Sequence, residues 1–256
     1  MTTNRQKVAL VTGAGKRIGR VIALALADAG WDVIVHYGQS ADEAHAVVQE
    51  IAAGGRRAAA IQCDLTNEAA VKTLLARAAG ALNAPVSCVV NNASLFDQDD
   101  ASDFTFARLD AHMHANLAAP ILLAQALFAA TPDGAQSVVI NLLDQKLFNM
   151  NPDFLSYTLS KAALHTATTM LAQALAPKVR VVGVAPGITL ISGDQTAAAF
   201  AKAHTMTPLG RSSTPEDVAA TVCFVAASPA MTGTTIVVDG GQHLIPLSRD
   251  VMFVAK

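Results

Sequence analysis

A short apolar strand, a glycine-rich turn and an amphipathic helix follow one another at the start of the chain. The strand covers Lys7–Thr12, the turn contains Gly13 and Gly19, and the helix runs to Ala29. Gly13 permits a tight turn. Gly19 permits close approach at the helix start, where free N–H groups and the helix dipole favour a phosphate. This order of elements is the context that a dinucleotide-binding turn requires, although glycines alone would also suit a flexible loop.

Strands and helices alternate along the rest of the chain. Six further apolar strands are predicted at Asp32–Tyr37, Arg57–Gln62, Val86–Val90, Ser137–Leu142, Val179–Ala185 and Thr235–Asp239. Alternation of this kind gives right-handed crossovers and a parallel sheet, whose strands are buried on both faces and therefore read as continuous apolar runs. A hydrophobic content of 52% fits that pattern. We predict one α/β domain spanning residues 1–256.

Composition argues against several classes of partner. The net charge is −2, so no basic surface for nucleic acid or an anionic membrane is expected. The three cysteines (Cys63, Cys88 and Cys223) are far apart and fit small buried side chains in a reducing compartment. The histidine spacing predicts no metal site. We find no signal peptide and no apolar run near the ~20 residues that span a membrane, so we expect a cytoplasmic protein.

The end of the second predicted strand bears on the choice of nicotinamide cofactor. An NAD-preferring site usually ends this strand with an acidic residue that holds the ribose 2′-hydroxyl. Here the strand ends at His36 and Tyr37, and Ser40 follows. Lys16, Arg17, His36 and Ser40 could bind a 2′-phosphate, so we predict NADPH over NADH. The alternative for His36 and Ser40 is a plain strand end and a helix N-cap.

Polar or small side chains follow three other strands, where the ligand crevice of an open α/β sheet lies. They are Asp64 and Leu65 after the third strand, Asn92, Ala93 and Ser94 after the fourth, and Pro186 and Gly187 after the sixth. Asp64 could hold the adenine amino group or cap the next helix. Asn116 lies amid apolar residues of a helix that includes residues 109–130, so it must find hydrogen-bond partners.

Tyr157 and Lys161 are four residues apart, so on a helix they lie on one face. A Tyr hydroxyl has an ordinary pKa of ~10, and a nearby ammonium lowers that pKa. Such a pair can supply the proton that the reduction of a C=O or C=N group needs. Ser156 is the predicted N-cap, and Pro177 ends the helix. The pattern is common by chance, and it gains meaning only from a dinucleotide site upstream.

Five motifs in this order give the chain a resemblance to the short-chain dehydrogenase/reductase family: residues 12–19, Asn91–Ala93, Asn116, Tyr157 with Lys161, and Pro186-Gly187. The resemblance implies a doubly wound (Rossmann) fold with a seven-stranded parallel sheet, in a homodimer or homotetramer. It implies that Tyr157 is the general acid, that Lys161 binds the nicotinamide ribose, and that Asn116 supports a proton-relay water. The implied cofactor contacts are Gly13, Lys16, Arg17, Ile18, Gly19, His36, Tyr37, Ser40, Asp64, Leu65, Asn92, Ala93, Ser94, Tyr157, Lys161, Pro186 and Gly187.

Three positions depart from the usual family pattern and resemble the pteridine reductase branch. Arg17, Ser94 and Asp144 stand where the family usually has glycine, glycine and serine. The resemblance implies that Arg17, Ser94 and Phe96 contact a pterin, with Phe96 stacking on it. It also implies that Asp144 acts beside Tyr157 in proton delivery. We predict an NADPH-dependent pteridine reductase that assembles as a homotetramer.

Two other functions stay open at this point. One is a carbonyl reductase of the same family acting on a 3-oxoacyl thioester or another ketone, although no serine stands thirteen residues before Tyr157. The other is a non-catalytic, NADP-sensing scaffold. Residues 188–214 interrupt the strand–helix alternation and are predicted to be a substrate loop. The apolar tail, residues 242–256, is predicted to pack on a partner subunit.

Overall fold

The computed structural model describes residues 7–192 and 195–254. Within them one sheet of seven strands has the order β3-β2-β1-β4-β5-β6-β7, and every neighbouring pair is parallel. The strands are β1 Val8–Val11, β2 Asp32–Tyr37, β3 Ala58–Gln62, β4 Val86–Asn91, β5 Ser137–Leu142, β6 Val179–Pro186 and β7 Thr235–Val238. The predicted single α/β domain with a seven-stranded parallel sheet is confirmed.

Helices cover both faces of the sheet. They are α1 Arg17–Asp28, α2 Ala41–Ala53, α3 Glu68–Leu82, α4 Phe106–Met113, α5 Ala119–Ala130, α6 Leu155–Leu175, α7 Ala197–Thr205, α8 Pro215–Ala227 and α9 Val251–Val254. One hydrophobic core packs α1, α2 and α8 against the sheet, and a second packs α3, α5 and α6 against the opposite face. The strands are therefore buried on both sides, as their apolar runs predict.

Helices α4 and α5 form one continuous helical stretch, which a π-helical turn at His114–Ala118 interrupts. This turn contains Asn116, and single π-turns inside α-helices frequently mark functional sites. The whole stretch, Phe106–Ala130, is long and apolar enough to cross a membrane by length and composition. The expectation that no run approaches this length was therefore wrong. The stretch packs on α3 and α6, so we assign it to the core of the domain.

The polypeptide reverses its direction of winding between β1 and β4, which are neighbours in the sheet although two strands separate them in sequence. At such a switch point the loops after the strands diverge and leave a crevice at the carboxyl ends. The segment after β6 contributes α7 and also lies at this edge. Helix α9 contacts α7. The described part of the tail thus packs on its own chain, whereas residues 255 and 256 lie outside the described residues.

Candidate active site

A cavity of about 600 Å³ opens at the carboxyl ends of β1, β4, β5 and β6, a volume ordinary for a small-molecule site. Most of the predicted site residues line it: Gly13, Lys16, Arg17, Ile18, Gly19, Asn92, Ala93, Ser94, Phe96, Asp144, Tyr157, Lys161, Pro186 and Gly187. The predicted residues outside its lining are His36, Tyr37, Ser40, Asp64, Leu65 and Asn116.

The glycine-rich turn is built for close backbone approach. Gly13 has a φ of +63°, and a Cβ added at Gly19 would lie 2.2 Å from the carbonyl oxygen of Gly13. The turn is anchored to the end of β4, because Thr12 Oγ1 accepts the N–H groups of Asn92 and Ala93 at 2.9 and 3.0 Å. The N-cap of α1 makes no side-chain capping bond. The first-turn N–H groups of α1 therefore suit a phosphate.

The two cations of the turn have protein partners in this structure. Lys16 Nζ lies 3.0 Å from Oε1 of Glu43, a residue of α2, so the lysine expected to bind the 2′-phosphate is paired with a carboxylate. The guanidinium of Arg17 donates to Ile191 O at 2.9 Å and to Ser192 Oγ at 3.2 Å. Arg17 itself has a φ of +54°. The side chain thus links the turn to the segment after β6, across the cavity.

The expected role of His36 in binding a 2′-phosphate is not supported by its placement. The ring is 2% exposed. Its Nδ1 accepts the N–H of Gly13 at 3.0 Å, and its Nε2 lies 3.0 Å from the carbonyl oxygen of Cys63. Burial lowers the pKa of His36 to about 4, so the ring is neutral at physiological pH. His36 supports the turn from beneath and offers no charge to a phosphate.

Ser40 and Asp64 are expected near the adenine end of the cofactor, and neither side chain caps a helix. Ser40 occupies the N-cap position of α2 but makes no side-chain capping bond. Asp64 does not cap α3, whose N-cap is Asn67. Instead, Asp64 Oδ1 accepts the N–H and the hydroxyl of Thr66 at 2.9 and 2.7 Å. Both side chains are solvent-accessible, so they remain available for a ligand.

The phenol of Tyr157 is bonded to a carboxyl group in this cavity. Its hydroxyl donates to Asp144 Oδ2 at 2.7 Å, while Asp144 Oδ1 accepts the N–H of Lys146 at 2.8 Å. Asp144 lies two residues after the end of β5, and Tyr157 lies in the first turn of α6. Lys161 is 3% exposed. Its Nζ donates to Leu142 O at 2.7 Å and lies 5.8 Å from the centre of the Tyr157 ring.

The pKa of Tyr157 is shifted in the direction opposite to the one expected. Burial raises it well above its ordinary value, and the Asp144 carboxyl raises it further. Burial likewise raises the pKa of Asp144. The Lys161 ammonium points to a backbone carbonyl, and burial lowers its own pKa to about 8. Loss of water on burial thus shifts the pKa of both Tyr157 and Asp144 upward, toward their protonated forms.

The start of α6 is capped from a distant loop. Ser156 was expected to be the N-cap, but this was wrong because the helix begins at Leu155 after Phe154. Ser156 is fully buried. The carboxyl group of Asp99 accepts the Ser156 N–H at 2.9 Å and the Ser156 hydroxyl in a short hydrogen bond. Asp99 is 2% exposed and lies 57 residues earlier, so no local pattern reveals this contact.

Asn116 joins two walls of the site without lining it. Its Oδ1 accepts the Leu95 N–H at 2.8 Å, and its Nδ2 donates to Leu95 O and Ser160 Oγ, both at 3.0 Å. The π-turn directs this side chain between the loop after β4 and helix α6. The buried Asn therefore finds the partners that the sequence required of it, and it positions the elements that carry Phe96 and Tyr157.

The ring of Phe96 lies beside the ring of Tyr157. The two ring centres are 4.7 Å apart in an edge-to-face arrangement, and Phe96 stacks on Phe154 at 4.4 Å. Phe96 is 39% exposed, so one part of the ring faces the cavity. Edge-to-face and stacked pairs of this kind fix ring orientation. The geometry offers a flat apolar surface next to a proton donor.

Several cavity residues were missed by the sequence reading. They include Gln145, Lys146, Gln195, Asp250, Val251 and Met252. Within the described part of the chain, Gln145 Oε1 and Gln195 Nε2 are buried without a hydrogen-bond partner, which suits a polar ligand. Lys146 lies two residues after Asp144, and this proximity was the one signal that the sequence offered. Nowhere in residues 7–192 and 195–254 do three or more His, Cys, Asp or Glu side chains form a possible metal site.

Comparison with protein families identifies the scaffold. Residues 7–201 match the model of the short chain dehydrogenases. The chain belongs to the short-chain dehydrogenase family. A 3-oxoacyl-[acyl-carrier-protein] reductase of Synechocystis is 35% identical over 94% of this chain and 99% of its own. An uncharacterized oxidoreductase of Methylorubrum extorquens is 34% identical over 92% of this chain and 97% of its own.

Solved structures of the family superpose closely on this chain. The FolM alternative dihydrofolate reductase 1 of Brucella canis, complexed with NADP, has a TM-score of 0.87 with 37% identity over 94% of this chain and 95% of its own. A short chain dehydrogenase of Burkholderia cenocepacia, also in complex with NADP, has a TM-score of 0.85 with 34% identity over 93% and 98%. The predicted family is confirmed, and the chain is an oxidoreductase of that family.

Proposed function

We propose that this chain is an NADPH-dependent reductase of pteridines, converting dihydropterin or dihydrofolate-type rings to their tetrahydro forms. The observation that carries the proposal is the Asp144 carboxyl group bonded to the Tyr157 hydroxyl at 2.7 Å, with Phe96 flanking the same phenol ring. A pterin offers amino donors, ring nitrogens that need a proton, and a flat face for stacking. The similarity to a structure described as an alternative dihydrofolate reductase supports the same substrate class.

The residues fit the cofactor at its phosphate and nicotinamide ends. Glycines at positions 13 and 19 leave room for backbone approach, and the uncapped start of α1 suits the pyrophosphate. Lys16 and Ser40 are accessible for a 2′-phosphate. Lys161 would hold the nicotinamide ribose. NADPH, when bound, supplies the hydride. Solved relatives that carry NADP support this choice of cofactor.

The proton needed by the ring nitrogen would come from the Tyr157–Asp144 pair. Burial raises the pKa of both groups, which favours their protonated forms, so Tyr157 would donate the proton while its hydrogen bond to Asp144 orients the hydroxyl. Arg17 and Ser94 lie on the cavity wall and would contact the pterin. We propose that residues 188–214 are the substrate loop, because Arg17 bonds to Ile191 and Ser192.

The experiment measures NADPH oxidation by the purified protein with dihydrobiopterin, dihydromonapterin, dihydrofolate and an acetoacetyl thioester. We expect turnover of at least one of the three ring compounds. Turnover of the thioester alone would remove the proposal. NADH should give a lower kcat/KM than NADPH, and equal values would contradict the cofactor assignment.

Asp144→Ser tests the contribution of the Asp144–Tyr157 hydrogen bond, because serine is the usual family residue at this position. We expect pterin kcat/KM to fall about 100-fold or more, within the range of a lost proton donor. The matched control is Asp97→Ser, which changes a carboxyl group of the neighbouring loop that lies outside the cavity lining. Unchanged pterin turnover in Asp144→Ser would make Asp144 structural.

A second candidate is a reductase of 3-oxoacyl thioesters, which the 35% identity to the Synechocystis enzyme favours. It predicts good thioester turnover, and the substrate comparison above decides between the two functions. If the chain were instead a non-catalytic, NADP-sensing scaffold, it would turn over none of these compounds.

We also propose a homotetramer in the cytoplasm. Apolar side chains exposed on helices support assembly: Phe106 is 79% exposed, Met170 63% and Phe224 57%. These side chains lie on α4, α6 and α8, and assembly would bury them. Light scattering on a sizing column should give about four times the monomer mass, and a monomer would contradict the proposal.

A further inference from the structure

The C-terminal segment, defined as residues 249–253, folds back onto the edge of the cavity. Arg249 Nε donates to both carboxyl oxygens of Asp153 at 2.9 Å, and the Asp250 N–H donates to Asp153 Oδ2 at 2.6 Å. Val251 is 4% exposed and packs in a small apolar cluster with Ala203 of α7. An ion pair, a backbone bond and apolar packing thus hold the segment to its own chain.

The buried ammonium of Lys146 connects the C-terminal segment to the loop after β5, which carries Asp144. Lys146 is 3% exposed, and its Nζ donates to Asp153 O at 2.6 Å and to Asp250 Oδ2 at 3.2 Å. A buried charge is costly unless it is paired, so Lys146 requires the Asp250 carboxylate. Lys146 also donates its backbone N–H to Asp144. The position of the C-terminal segment is therefore coupled to that of Asp144.

An aromatic stack makes a second, independent connection. The ring of Phe253 lies parallel to that of Phe154 with 6.0 Å between centres, and Phe154 stacks on Phe96 at 4.4 Å. Phe96 in turn contacts the edge of Tyr157. Phe154 has a φ of +56°, so its ring position depends on neighbours that hold an unusual backbone conformation. Phe253 thus supports the surface that a flat substrate would stack upon.

We propose that the C-terminal segment is a wall of the substrate site, and that Asp250 and Phe253 are specificity-determining residues for compact flat rings. Asp250 and Met252 line the cavity directly, and Phe253 holds Phe96 in place through Phe154. The Asp250 carboxyl group on this wall would accept a hydrogen bond from the amino group of a ring, whereas the acyl chain of a thioester has no donor to offer it. The ring preference rests on the proposed function, whereas the contribution of the segment to substrate binding does not.

The test compares Asp250→Ala and Phe253→Ala with the full-length wild type. Both should raise the KM of the ring substrate about 10-fold with kcat changed less than about 3-fold. The kcat/KM ratio of thioester to ring should rise about 10-fold. The Kd of NADPH, measured by fluorescence titration, should stay within about 2-fold. The control Val254→Ala alters the adjacent side chain, which is 41% exposed, and should match the wild type.

Phe253→Tyr keeps the ring and should restore the wild-type KM, which a general folding defect in Phe253→Ala would not predict. An unchanged KM in both alanine variants would overturn the inference, as would an equal loss of NADPH and substrate binding. If the wild type reduces only the thioester, the proposed function fails. The inference is then judged on the thioester KM, where a change of about 5-fold in both variants supports it and no change overturns it.

Discussion

Removal of the Asp99 carboxyl group should destabilise the protein and displace Tyr157. Asp99 accepts two hydrogen bonds from Ser156, the N–H at 2.9 Å and the hydroxyl in a short contact, and both residues are buried. In Asp99→Ala the two Ser156 donors would be left buried without an acceptor. The backbone bond from Leu155 N–H to Asp99 O, at 3.1 Å, does not involve the side chain and would remain.

Each buried donor that loses its acceptor costs about 1–3 kcal/mol, and partial repacking or entry of water offsets some of this. We expect Asp99→Ala to lower the free energy of unfolding by about 3 kcal/mol. For a chain of this length that corresponds to a fall in Tm of about 6–12 °C. Asp99→Asn keeps one acceptor and should lose about half as much.

The measurement is thermal unfolding followed by circular dichroism, with urea unfolding to obtain the free energy. The control is Asp100→Ala, which removes an exposed carboxyl group that accepts hydrogen bonds from Ser102 in its own loop. That variant should keep a Tm near the wild-type value. Because Tyr157 follows Ser156, kcat of Asp99→Ala should also fall about 10-fold at a temperature where the variant is folded. A wild-type Tm in Asp99→Ala would refute the capping argument.

Three further predictions concern the cofactor end of the site. Burial lowers the pKa of Lys161 to about 8, so kcat/KM should decline above about pH 8 as the ammonium is lost. The unfolded chain binds the Lys161 proton more tightly, so the contribution of Lys161 to the free energy of unfolding should rise between about pH 8 and its ordinary pKa. A pH–rate profile that stays flat to about pH 9.5 would contradict the role of the Lys161 ammonium. Glu43→Gln frees Lys16, so the Kd of NADPH should fall about 2- to 5-fold while that of NADH is unchanged, and equal effects on both would count against a 2′-phosphate role. Gly19→Ala places a methyl group 2.2 Å from a turn carbonyl and should weaken NADPH binding at least about 10-fold in a titration, whereas wild-type binding would show that the turn can relax.

The predictions from sequence succeeded where the controlling interactions are local. Apolar runs fixed the positions of the strands to within one or two residues, because a strand buried on both faces must be apolar along its length. The glycine turn before α1 and the four-residue spacing of Tyr157 and Lys161 likewise depend on a few adjacent residues. Most of the predicted site residues accordingly line one cavity.

Burial decided the chemistry of the site, and burial is a property of the assembled chain. The ammonium of Lys161 was expected to lower the pKa of Tyr157, yet loss of water and the Asp144 carboxyl raise it. His36 was expected to meet a phosphate, yet it lies beneath the turn with both ring nitrogens bonded. In each case the residue type was informative and the sign of its effect depended on the surrounding atoms.

By itself the sequence determined the α/β sheet, the glycine-rich turn and the helix that carries Tyr157 and Lys161, because periodicity and local backbone preference specify these. Only the tertiary structure brought Asp99 to the start of α6 and Asp250 to the cavity wall, across 57 and 104 residues. Such contacts depend on how loops pack after the sheet has formed. The spacing of residues along the chain carries no record of them.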